Sequence, residues 1–464
     1  MKIRNSIWRR GTCLLLAVLF LFTDKIEAKA DMYWPEGPSI NTPSAIVIEI
    51  NSGAVLYEKN SDEQNYPASI TKIMTTMLAL EYAELDEIVT FSADAVFKNE
   101  GNTSHIARDL NEQMTMEQCL YAVMLESANE CAYAVAEHIG QKLGGDYQTF
   151  IDLMNQRAAE IGCTNTHFAN ANGLPDKNHY TSAHDMALIS AEAYKNEAFR
   201  IIIETRIYRI PPTNKHSEIT PLNNHHAMIS NYKTREHLYE YCTGGKTGYT
   251  NAAGATLVSY AEKDGLALVC VVMKTNSGVY YKDTRNMFEH CFQNFQKVSI
   301  GENGTAGEDG SVSTGIMNNY EAFVKLDENA QIVLPITADL ADVEMSLVNE
   351  DLPSGVIAQL NYTYGGHVAG CANVVFSNAK VEENYFEGQE KPSDVNVVVI
   401  KLGYIFTILG IIVGIGAVIL IGKRLYDNYY VIRHDMEVKK QRRERFRPVS
   451  GRKKKWKKKD RMFK

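Results

Sequence analysis

Three short runs of residues hold groups suited to acyl transfer. Ser69-Ile70-Thr71-Lys72 sets a hydroxyl and an amine three positions apart. On a helix that spacing puts both on one face, so Lys72 reaches the oxygen of Ser69. A serine hydroxyl is a weak nucleophile at neutral pH and needs a base within hydrogen-bond reach. A protonated lysine cannot be that base, so burial or a neighbouring cation must lower its proton affinity. Lys246-Thr247-Gly248, on a predicted strand, offers Lys246 as that cation. Ser127-Ala128-Asn129 completes the set. Ser127 is expected to bridge the two lysines and relay a proton to a leaving amine. Asn129 is expected to orient Lys72 and a substrate carbonyl. Gly248 lets a substrate backbone lie against the strand edge, where Thr247 hydrogen-bonds a carboxylate. Backbone N–H groups of Ser69 and Tyr249 are expected to form an oxyanion hole, in which one donor is typically worth ~3 kcal/mol of barrier.

Each motif alone is weak; their order and spacing make them specific together. The set resembles the penicillin-binding protein and serine β-lactamase superfamily, and within it the serine D-alanyl-D-alanine carboxypeptidases of low molecular mass. The likeness extends to Tyr66-Pro67-Ala68-Ser69, Leu125-Glu126-Ser127-Ala128-Asn129, Asn165-Thr166-His167-Phe168 and Asn172-Gly173-Leu174-Pro175. It continues through His179-Tyr180, Asp185-Met186-Ala187 and Gly245-Lys246-Thr247-Gly248-Tyr249-Thr250, with Ala253-Gly254 after it. The resemblance implies an antiparallel sheet flanked by helices. It implies removal of the terminal D-Ala from peptidoglycan pentapeptides through an acyl-enzyme on Ser69, with β-lactams acylating the same serine. No metal or organic cofactor is expected. Ala128 stands where the family usually has Gly. The family's carboxylate-binding arginine before the last helix has no clear counterpart, so Lys282, Arg285 or neither takes that role.

Other functions would use the same residues. A β-lactamase needs rapid deacylation, and no ExxxN-type motif follows Ser127-Ala128-Asn129. A membrane-bound β-lactam sensor would need a cytoplasmic effector domain, and none is expected from the basic tail. A D,D-endopeptidase acting on cross-links stays open. Asn224-His225-His226 catches the eye, but no metal-binding histidine pattern accompanies it.

The elements that must position these groups follow from periodicity. Residues 44–59 read as a hairpin turning at Asn51-Ser52-Gly53. Residues 69–84 are helical, with Ile70, Ile73, Met74, Met77 and Leu78 at helical spacing. A second apolar helical pattern covers 115–139 and breaks near Ser127. Helices are also predicted over 146–161, 184–197 and 282–296, and strands over 243–249, 253–262 and 266–274. Strands open and close the segment with helices between, an α+β layout with the sheet built from both chain ends. The catalytic domain is therefore placed at 31–297. A Gly/Ser-rich linker follows at 298–317. Short alternating strands at 318–390 read as a small all-β domain.

Charge divides the chain further. Residues 1–30 hold six basic and two acidic side chains, and 423–464 hold eighteen and five. The stretch 31–422 holds 24 basic and 49 acidic side chains, a balance that argues against nucleic-acid binding. Residues 1–30 read as a signal peptide: a basic start, an apolar core twelve residues long at 12–23, and Ala28-Lys29-Ala30 as cleavage site. Residues 402–422 run 21 residues without a charge, ~30 Å of helix, enough to cross a bilayer. Lys423 and Arg424 stop this transmembrane segment, and the basic tail 423–464 is expected to be cytoplasmic, bound to anionic lipid. The catalytic part is then outside the cell membrane. Seven cysteines remain beyond the signal, mostly in apolar contexts, and read as buried thiols.

Overall fold

The computed structural model describes residues 33–98, 103–300, 324–326, 330–338, 340–348, 356–376 and 439–440. The expected signal peptide, the segment 402–422 and nearly all of the basic tail lie outside them. No helix among the described residues is long and apolar enough to cross a membrane. The chain divides into a compact unit up to Lys380 and a second unit from Val381, in which only 439–440 are described.

The first unit begins with strands β1 (Ser44–Glu49) and β2 (Val55–Lys59). A 3₁₀ turn, Ala68–Thr71, runs into α1 (Lys72–Tyr82). There follow β3 (Ile88–Thr90), α2 (Ala93–Phe97), β4 (Gln113–Thr115), α3 (Met116–Tyr121) and α4 (Asn129–Lys142). Next come α5 (Tyr147–Ile161), α6 (Ala183–Tyr194), α7 (Glu197–Glu204), β5 (Ile207–Ile210) and β6 (Thr220–Asn223). The chain then makes β7 (Cys242–Thr250), β8 (Gly254–Lys263), β9 (Leu266–Thr275) and α8 (Tyr280–Asn294). The order of the main antiparallel sheet is β2-β1-β9-β8-β7, so its strands do come from both ends of the segment. This mixed α/β arrangement matches the layout read from the sequence.

Strand alternation explains why the sheet lies inside. In β1, Ile46 and Ile48 join the core on the side of most of the helices, while Ala45 and Val47 join the core that holds α8 residues. In β9, Ala267, Val269, Val271 and Met273 face the first core, and Leu266, Leu268, Cys270 and Val272 the second. Successive strand residues point to opposite faces, so near-continuous apolar runs serve two cores at once. Local signals fix the helix starts. Thr115 and Gln118 form a capping box at α3, Asp146 and Thr149 one at α5, and Ser182 caps α6.

Beyond α8, β10 (Phe295–Ser299) pairs with β12 (Gln331–Pro335). Strand β11 (Val324–Leu326) joins β13 (Glu344–Val348), β14 (Val356–Tyr364) and β15 (His367–Phe376) in a four-stranded antiparallel sheet ordered β11-β15-β14-β13. β10 leads straight out of α8 and crosses position 298, where a linker was expected. Sequence reading also missed the small pairs β3–β4 and β5–β6 and the short helix α7.

Candidate active site

The nucleophile candidate sits on a strained turn. Ala68, just before Ser69, has φ +52°, a left-handed conformation costly for a residue with a Cβ. Three contacts hold this turn. The Thr256 hydroxyl of β8 donates to the Pro67 carbonyl at 2.8 Å. Gly173, at φ +87°, lies so close that a Cβ would come within 1.9 Å of the Ala68 oxygen. Gly248 of β7 is also tightly placed: a Cβ there would stand 2.4 Å from the Thr256 hydroxyl and 2.9 Å from the Ser69 nitrogen. The glycine of the third motif therefore brings β7 up against the backbone N–H of Ser69, on the side where the oxyanion hole was expected.

Lys72 opens α1 and is fully buried. Its Nζ donates to Ser69 Oγ at 3.1 Å, to Asn129 Oδ1 at 2.6 Å and to the Asn172 carbonyl. Burial, then the charge of Lys246, pushes its pKa well below the usual lysine range. Lys246 is buried too, which brings its pKa down to about 7, while Glu126 acts to raise it. Its Nζ donates to the Thr247 carbonyl at 3.0 Å.

The second motif sits at a deliberate break. After α3 the chain widens into a π turn, Ala122–Glu126, and Ser127 then adopts φ +62°, ψ +29° before α4 starts. Such widened turns recur at functional sites. The break observed at Ser127 is the interruption read in the 115–139 pattern. Ser127 Oγ is buried and has no protein partner, so the expected bridge to the lysines is not drawn as hydrogen bonds.

Ser69, Ser127, Asn129, Thr247, Gly248 and Tyr249 line one cleft of about 990 Å³, with Asn172, Leu174, His225, Ser277 and Tyr280 among its other walls. Lys72 and Lys246 lie just behind the wall. β7 is the edge strand of the main sheet, so an extended peptide has backbone groups to pair with there. Lys282 and Arg285 do not line the cleft; both are exposed, and the Arg285 guanidinium lies 5.2 Å from the Tyr239 ring centre. Sequence reasoning missed the Asn172 carbonyl, because no side-chain pattern marks a backbone acceptor. It also missed Thr256, whose contact is set by strand pairing.

Among the described residues, Asp109, Glu112 and His216 place ligand atoms within 4.8 Å of one another. None lines the cleft, and Glu112 is already ion-paired to buried Arg108 at 2.8 Å.

Comparison with known proteins agrees with this geometry. Residues 31–277 match the D-alanyl-D-alanine carboxypeptidase family. The chain is 33% identical to D-alanyl-D-alanine carboxypeptidase DacF of Bacillus subtilis over 56% of its own length and 64% of the relative's. It is 28% identical to the carboxypeptidase DacA of Haemophilus influenzae over 75% of its own length and 88% of the relative's. Among solved structures, penicillin binding protein 5 of Haemophilus influenzae is similar over 74% of this chain and 98% of its own, with TM-score 0.56 and 25% identity. A Streptomyces DD-transpeptidase is similar over 56% of this chain and all of its own, with TM-score 0.50 and 28% identity. This chain belongs to the D-alanyl-D-alanine carboxypeptidase family of serine peptidases.

Proposed function

We propose that the protein removes the terminal D-Ala from peptidoglycan stem pentapeptides through an acyl-enzyme on Ser69. The observation that carries this is Lys72 Nζ, 3.1 Å from Ser69 Oγ and held toward its neutral form by burial and Lys246. The neutral amine takes the Ser69 proton as the oxygen attacks the carbonyl of the penultimate residue. The backbone N–H groups of Ser69 and Tyr249 receive the developing oxyanion. The C–N bond then breaks, and Ser127 passes the proton from Lys72 to the departing amine. Water next attacks the ester, giving its proton to Lys72; the shortened peptide leaves as an acid and Ser69 regains its hydrogen. Asn129 orients Lys72 and the substrate amide, and Thr247 hydrogen-bonds the substrate carboxylate. β-Lactams present the same reactive carbonyl and acylate Ser69.

The domain scheme belongs to the same proposal. A signal peptide at 1–30 exports a catalytic domain at 31–297. A small β domain at 318–390 spaces it from a membrane span at 402–422, with the tail 423–464 in the cytoplasm. What supports this is the charge division and the uncharged run at 402–422.

The test is direct. Full-length protein in detergent, given an acyl-D-Ala-D-Ala peptide, should release free D-Ala, and Ser69→Ala should release none. Equal release by both would remove Ser69 from the mechanism. Stable penicillin acylation without any D-Ala release would replace the enzyme with a sensor.

A further inference from the structure

The cleft wall has one residue that can carry a positive charge among those described, and it lies outside the three motifs. That residue is His225. Lys72 and Lys246 are almost wholly buried, and the exposed Lys282 and Arg285 do not reach the cleft. The His225 side chain is 28% exposed, and its Nε2 stands 3.0 Å from Glu126 Oε2. Glu126 is itself fixed, accepting the Asn223 backbone N–H on Oε1 at 2.6 Å. The imidazole lies parallel to the Tyr232 ring, 5.9 Å between centres. The His225 backbone is held on both sides, its N–H by the Leu125 carbonyl at 3.4 Å and its carbonyl by the Tyr281 hydroxyl at 3.4 Å.

A carboxylate on Nε2 sets the ring's orientation and keeps a proton on that nitrogen. Nδ1 has no hydrogen bond among the described residues, so it is the nitrogen left for a ligand. Glu126 directly precedes Ser127, and Thr247 lines the same cleft. We propose that His225, oriented by Glu126, is a substrate-binding residue that holds the free carboxylate of the departing residue together with Thr247, and so favours free chain ends over cross-linked peptides. The proposal rests on the carboxypeptidase reading above. A charge-assisted hydrogen bond to a carboxylate is about twice as strong as a neutral one, and the rest of the described wall offers only neutral donors. The ionisable groups around the His225–Glu126 pair are Lys233 and Lys246 near Glu126, and Tyr232, buried His226, Tyr280 and Tyr281 near His225.

The test compares a substrate with and without the anion. In full-length protein, His225→Gln should raise KM for an acyl-D-Ala-D-Ala acid about tenfold and leave kcat within about twofold. It should leave the corresponding C-terminal amide unaffected. His225→Arg, which keeps a positive charge at this position, should hold KM for the acid near the wild-type value. Equal losses on acid and amide, or a loss confined to kcat, would overturn the assignment. If the wild type is acylated by penicillin but releases no D-Ala, the carboxypeptidase reading alone fails. The pair is then a β-lactam acid and its methyl ester: slower acylation of His225→Gln by the acid only supports the anion contact, and equal slowing overturns it. A wild type that neither releases D-Ala nor is acylated overturns both.

Discussion

At the scale of single residues, the site is tuned by two buried lysines with different tasks. Under the proposed mechanism, Lys72 must be neutral to take a proton, and Lys246 must be charged to keep it so. Burial lowers both, but Glu126 partly restores Lys246, whose pKa lies at about 7. On this account kcat should fall as pH rises above about 7 and Lys246 loses its charge. Lys246→Arg should carry that fall to much higher pH, because a guanidinium stays charged. An unchanged kcat profile in the variant would show that Lys246 acts only through packing. Gly248 offers a second check. Gly248→Ala should lower kcat/KM at least 100-fold, because its Cβ would meet the Ser69 nitrogen, while far-UV circular dichroism stays native. The gathering of Ser69, Ser127 and Asn129 at one cleft, with Lys72 and Lys246 behind its wall, was legible in the sequence because the type and spacing of these side chains mark them. The Asn172 carbonyl and the left-handed Ala68 were not, because backbone acceptors and dihedrals leave no side-chain signature.

At the scale of elements, long apolar runs were legible and short ones were not. β8 and β9 are buried on both faces, so their runs of Val, Leu and Ala announce them. β3 and β4 have three residues each, too few for a period to show. The loop from 165 to 181 is tied to the 3₁₀ turn before α1 by His179. His179 accepts the Ala169 N–H on Nδ1 at 2.9 Å, so its Nε2 donates to the Thr71 hydroxyl at 2.8 Å. Burial brings its pKa down to about 3, and does the same for His226 next to Ser259. An unfolded histidine titrates near ~6.5, so the unfolded chain binds more protons between that value and about 3. Stability should therefore fall as pH drops through this window. Urea melts of wild type and His226→Asn between pH 7 and 4 should show a shallower decline in the variant. Parallel declines would mean other groups govern the acid sensitivity.

At the scale of the whole molecule, the strands after α8 meet the rest of the first unit through β10–β12 pairing, close backbone approach and packing around Trp34. Trp34 stacks on His367 at 4.4 Å and tilts against Phe295 at 5.0 Å. A Cβ on Gly370 of β15 would come within 2.9 Å of Ser52 in the β1–β2 turn. Trp34→Ala should lower the melting temperature by roughly 5 °C and leave kcat/KM near wild type, since the cleft does not touch it. The seven described cysteines are all free thiols, so melting should be the same with and without reductant. A drop in reductant would reveal a cross-link. The left-handed backbone at Ala68 bears on the molecule as a whole. Glycine would relax there, and Ala68→Gly should unfold at a slightly higher temperature while turning over more slowly. Thermal robustness and turnover pull this one position toward different amino acids, so a library sorted for heat resistance alone should drift away from a working enzyme at residue 68.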